Sequence, residues 1–184
     1  VLVPSITTFN ARHVLAALMA APHDFSSSAV KRLQANDFPN WIHQTIFKAL
    51  EETLNSSTSE GGALLVQVHA HLLETGQLKD TDNGLRAELA ELANIKGQPE
   101  MFASLSKILI SARWRNEAKD YAERILQHID SSETDLIAAL AGLETVRQHY
   151  VRAYPFRPAA GHLTPPVALP KQSTETRKEG QVGA

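Results

Sequence analysis

Apolar residues recur three and four positions apart along most of this chain, and no run of strict alternation is sustained enough to read as a strand. The sharpest case is DFPNWIHQTIFKALEETL at residues 37–54. Ile42, Ile46, Leu50 and Leu54 fall every four residues, and Trp41, Phe47 and Ala49 widen the stripe into a buried face. Asp37 is expected to cap this helix, with Pro39 in its first turn. Upstream, residues 12–21 put Val14, Leu15, Leu18 and Met19 on one face, and Pro22 stops the run. A short helix is expected after Ser28, with Val30 and Leu33 inward. Residues 55–62, NSSTSEGG, read as a polar loop open to proteolysis. Two further helices carry Leu64, Leu65, Val68 and Leu72, then Leu85, Leu89, Leu92 and Ile95. Gly76 is expected to end the first in a left-handed cap, and Gly97 to end the second.

From Pro99 the pattern continues to about Ile129, a helix on the order of 45 Å long. Its first half places Met101, Leu105, Ile108 and Ala112 inward. The stripe then changes phase and resumes at Ala118, Ala122, Ile125 and Ile129, spaced like a coiled-coil seam. Residues 130–132 make a turn, with Ser132 capping and Asp135 three residues on. Leu136, Leu140, Leu143, Val146 and Tyr150 carry the return helix. The expectation is an antiparallel hairpin with Trp114, Tyr121, Leu126 and Ile137 on its outer faces, a surface that calls for a second copy or a partner; Trp114, where the stripe changes phase, is open to contact with the body as well as to exposure for a partner. The fold class is therefore all-α: an arm (1–11), a globular helical bundle (12–98), an extended helical hairpin (99–153) and a Pro-rich tail (154–184) expected to be disordered. Five of the nine prolines fall in that tail.

Composition narrows the chemistry. With 184 residues and 43% hydrophobic positions, the chain suits one core and a polar appendage. The absence of cysteine excludes disulfides and thiolate metal sites and fits a cytoplasmic address. No apolar run approaches the roughly 20 residues of a membrane span. Net charge is −2, from 18 basic and 20 acidic residues that are interspersed. The only local concentration of bases is Arg113, Arg115 and Lys119. The tail adds Arg157, Lys171, Arg177 and Lys178 against Glu175 and Glu179. Those groups are the candidates for nucleic-acid contact if the chain is a small helical accessory protein that binds DNA. His69 and His71, two apart, lie about 200° apart on a helix and do not share an ion. Glu51, Glu52, Glu88 and Glu91 read as solvent-facing acids. No phosphate-binding loop, dinucleotide fingerprint or nucleophile elbow is present, so no catalytic residue, cofactor or metal is assigned.

The order of motifs adds a family resemblance. Val14-Leu15-Ala16-Ala17-Leu18-Met19 with Pro22 is similar to a "VLGALL-x-x-P" first helix. Leu33 with Asp37-Phe38 precedes His43-Gln44-Thr45-Ile46-Phe47-Lys48-Ala49-Leu50, similar to "DF" followed by "H-x-x-IF-x-A-I/L". Leu72-Leu73-Glu74-Thr75-Gly76-Gln77-Leu78 is similar to "L-x-x-x-G-x-L", and the helix from Leu85 to Ile95 and the long helix follow in order. Over residues 12–150 the chain thus resembles the N-terminal domain of DnaB-type replicative helicases, and a related fold occurs in the helicase-binding domain of DnaG-type primases. It departs in having Asn10, Ala11 and Arg12 where acids are common, and a Pro-rich tail in place of the linker to an ATPase domain.

The resemblance implies a non-catalytic module of the replication machinery that assembles with itself, as a dimer or hexameric ring, and docks primase or helicase. It is expected either as a piece of a helicase or standing alone. Helical phase makes Trp114, Tyr121, Ile125, Leu126, Ile129, Leu136, Ile137 and Leu140 the candidate interface.

Overall fold

The computed structural model describes residues 6–56, 62–79, 81 and 83–155, and among these every regular element is helical. The expected loop at residues 55–62 falls largely outside the described residues, as do the first five residues of the expected arm and nearly all of the tail.

Helix α1 (Ile6–Ala20) begins six residues earlier than its apolar pattern suggested, so much of the expected arm is helix. Ala11, Val14, Leu15, Ala16, Ala17, Leu18 and Met19 are all buried, more than one face can hold. A helix apolar nearly all round belongs at the centre of a core. The others pack around it: α2 (His23–Val30), α3 (Trp41–Ser56), α4 (Gly62–Glu74), α5 (Asn83–Asn94) and the first half of α6 (Phe102–His128).

The boundaries have local causes. Pro22 separates α1 from α2 and stands immediately before α2, which therefore starts earlier than expected; Val30 and Leu33 are buried as the spacing required. The cap of α3 is Asn40, whose side-chain oxygen accepts the His43 backbone N–H at 2.9 Å. Asp37, the expected cap, lies in a 3-10 turn and has a different task. Gly76 ends α4 at φ 68°, and the Leu78 N–H reaches back to the Leu72 carbonyl at 2.9 Å. Gly97 is not a left-handed cap. A Cβ there would lie 2.1 Å from the Ala16 carbonyl oxygen, so glycine allows the segment before α6 to pass against α1.

Helix α6, 27 residues and about 40 Å long, packs its first half on α1. The inward residues there are Phe102, Leu105, Ser106 and Leu109; Leu105 is buried as expected, whereas Met101 and Ile108 are exposed and their neighbours Phe102 and Leu109 take the inward places. After a turn capped by Ser132, which accepts the Asp135 N–H, the chain runs back along α6 as two helices, α7 (Glu133–Leu140) and α8 (Leu143–Ala153). The single return helix expected from the spacing is broken at Ala141-Gly142. Gly142 lies close over α6: a Cβ there would be 3.2 Å from the Tyr121 ring.

Candidate functional site

Three features stand apart from ordinary core packing: a buried charged cluster, a clasp joining α8 to the bundle, and two unlike surfaces at opposite ends of α6.

The cluster lies among α1, α3 and α5. The Glu88 carboxylate accepts from Arg12 Nε at 2.5 Å and Nη2 at 2.6 Å, and from His43 Nε2 at 2.8 Å. Glu88 and His43 are buried, which corrects the expectation that Glu88 faces solvent. Burial pushes the Glu88 carboxyl up, but hydrogen bonds from His43 and Arg12 outweigh it and hold it down at about 2. The Glu88 carboxylate in turn raises Arg12. An acid held by donors from two other helices is suited to joining the three. Among the described residues no group of three metal-ligating side chains gathers.

The clasp is formed by Arg152 of α8 and Asp37. The Arg152 guanidinium faces the Asp37 carboxylate with both Nη atoms, Nη1 at 2.6 Å, and also donates to the Arg32 carbonyl at 3.1 Å. The Gln34 backbone N–H adds a third donor to the acid at 2.8 Å. A planar, bidentate pair of this kind fixes orientation as well as charge.

The candidate interface divides. Leu126, Ile129, Ile137 and Leu140 are exposed, at 68, 57, 61 and 47%, on the end formed by α6, the turn and α7. Leu143, expected on the inward stripe of the return helix and not at the interface, joins them at 56% because the chain breaks at Ala141-Gly142 just before it. Ile125 and Leu136 are half-buried. Trp114 and Tyr121 are not on an outer face. The Trp114 ring lies 5.4 Å from Tyr150 and 5.8 Å from Tyr154, and the Tyr154 hydroxyl meets Ser111 at 3.1 Å. These aromatics hold α8 to α6. Trp41, expected in the core, is 56% exposed at the start of α3.

The candidate nucleic-acid contacts also divide. Arg113 turns inward and pairs with Glu117, its Nε buried. Lys119 pairs with Glu123 at 3.5 Å, and Arg115 is exposed beside a shallow hollow shared with Lys107. At the bundle end of α6, Arg32, Lys107 and Arg152 line a groove of about 650 Å³ with Ala103, Ile110 and Tyr154. Sequence spacing did not suggest it, because its bases come from the turn after α2, from α6 and from α8.

No helix among the described residues is long and apolar enough to cross a membrane. Comparison with known proteins finds no family model, no curated protein and no solved structure that matches the chain.

Proposed function

We propose that this chain is a non-catalytic module of the DNA replication machinery that associates with its own kind and docks primase or helicase, as the resemblance to helicase N-terminal domains implies. The observation that carries the interaction role is the apolar end: Leu126, Ile129, Ile137, Leu140 and Leu143 stay exposed together on a helical protrusion. Grouped exposed aliphatics on one end of a molecule mark a contact surface. The replication context rests on the order of motifs alone.

Nucleic-acid binding is the weaker reading. With Arg113 and Lys119 committed to neighbouring acids, few bases on α6 remain for phosphates, and affinity grows with the number neutralised.

Light scattering on the full chain over a concentration series tests self-association. The expected result is a mass above that of the monomer, reduced by Leu126→Asp and by Ile137→Asp with the thermal midpoint unchanged. Pull-down with purified primase and helicase tests docking. A monomer at every concentration that captures neither partner overturns the proposal.

A further inference from the structure

The two ends of α6 are chemically complementary. The groove at the bundle end presents Arg32, Lys107 and Arg152 and, among the described residues, is lined by no acid. Asp37 offsets Arg152 behind it, while Arg32 and Lys107 have no side-chain partner among the described residues. The far end is the reverse. From Ile129 to Ile137 the chain carries Asp130, Glu133 and Asp135 and no base, beside exposed Ile129 and Ile137. None of these three acids is in an ion pair among the described residues; Asp135 is engaged only with Ser132 in the turn. Each surface joins one sign of charge to apolar contact area.

The molecule cannot satisfy this match internally. Lys107 and His128 are separated by about 30 Å of continuous helix at 1.5 Å per residue, and α6 does not bend back on itself. We infer that the acidic, apolar tip around Glu133 of one copy seats in the basic groove around Lys107 of another, head to tail. Such a contact uses two different patches, so each copy keeps one free tip and one free groove. The assembly then either closes into a ring or extends as a filament. The tail that follows Pro155 is the competing occupant by position, since Pro155 lines the groove, but its bases outnumber its acids four to two and match the groove's own sign.

The inference rests on self-association itself, and the experiment separates the two. Two variants of the full chain reverse one end each: Arg32→Glu with Lys107→Glu, and Asp130→Lys with Glu133→Lys. All four positions are exposed, and circular dichroism of each variant checks the helical content. In sedimentation velocity, wild type is expected to associate, and more weakly as salt rises from about 0.01 to 1 M, over which the screening length falls from about 30 to 3 Å. Each variant alone is expected to associate at least about tenfold more weakly, because like charges then meet at the contact. An equimolar mixture is expected to recover wild-type association, since each reversed end meets its opposite. If both variants associate like wild type, or the mixture fails to recover while Leu126→Asp dissociates wild type, pairing is through apolar faces alone and the head-to-tail inference is overturned with self-association intact. If wild type is monomeric throughout but ending the chain at Pro155 produces assembly, the tail occupies the groove and the inference is likewise overturned. A monomer under both conditions overturns self-association as well.

Discussion

An ionised carboxylate at position 88 sits on the same helical stripe as Leu85, Leu89 and Leu92, and its two donors are what make it tolerable there. The folded protein holds this group at about 2, below its ordinary value of 4.5. A depressed carboxyl stabilises the fold above the ordinary value and ceases to do so as pH falls toward the folded value. Urea unfolding is therefore expected to give a plateau above about pH 4.5 and declining stability toward pH 2, in part from this group. Glu88→Gln is expected to lower stability near neutrality and to flatten that decline, because amide and acid differ little once the acid is protonated. The signal for this cluster was present in the chain. Glu88 falls between Leu85 and Leu92 in helical phase, and His43 shares a face with Ile46, Phe47 and Leu50. A charge on a buried stripe requires partners, and Arg12, at the outset of an otherwise apolar run, is the complementary charge that α1 supplies.

At the scale of elements, helix positions followed closely from periodicity, while their phases and ends followed less well. Met101 and Ile108 fit a 3.6-residue stripe as well as Phe102 and Leu109 do. Packing on α1 decides between them, and no local pattern contains that information. Trp114 and Tyr121 looked like outer residues because the seam was drawn through Ala118, Ala122 and Ile125. The returning helices α7 and α8 instead bring Tyr150, Tyr154 and Gly142 over them, so that large rings are half-buried where small residues had been expected to face inward. Leu126 and Ile137, by contrast, were legible as exposed, since neither belongs to a continuous inward stripe. Close approach of two elements was not legible either, and Gly97 is the case with a measurable consequence. Gly97→Ala would drive a methyl group to 2.1 Å from a backbone oxygen and 2.6 Å from the Ala20 Cβ, with no flexible side chain to give way. A loss of about 1–3 kcal/mol or more is expected in urea unfolding, in place of the small gain that alanine gives at an unhindered glycine.

Across the whole molecule, Arg152 and Asp37 tie the last described helix to the connection before α3, with the acid's side chain fully buried. Arg152→Ala would leave that carboxylate with the Gln34 N–H as its remaining near donor. Breaking a buried pair on one side is strongly destabilising; because Arg152 is partly exposed, a loss of about 2–4 kcal/mol is expected. Arg152→Lys is expected to recover only part of it, since an ammonium does not reproduce the two parallel contacts. Thermal or urea denaturation of the two variants against wild type checks both values. The same substitution removes a base from the groove, so its effect on assembly is to be read only at temperatures where the fold is intact.

The distance in sequence between those two partners, 115 residues, sets an order of events during synthesis. At the usual ribosomal rate of about 5 to 20 residues per second, Asp37 waits about 6 to 23 s for Arg152 to be made. Throughout that interval the helices of the bundle emerge and collapse around α1 with an acid that has no counter-charge. Burying that carboxylate before α8 supplies the guanidinium is costly, so a hydrated junction between α2 and α3 is the favoured state of the nascent chain. Completion of α8 is therefore what supplies the counter-charge for a junction made 115 residues earlier.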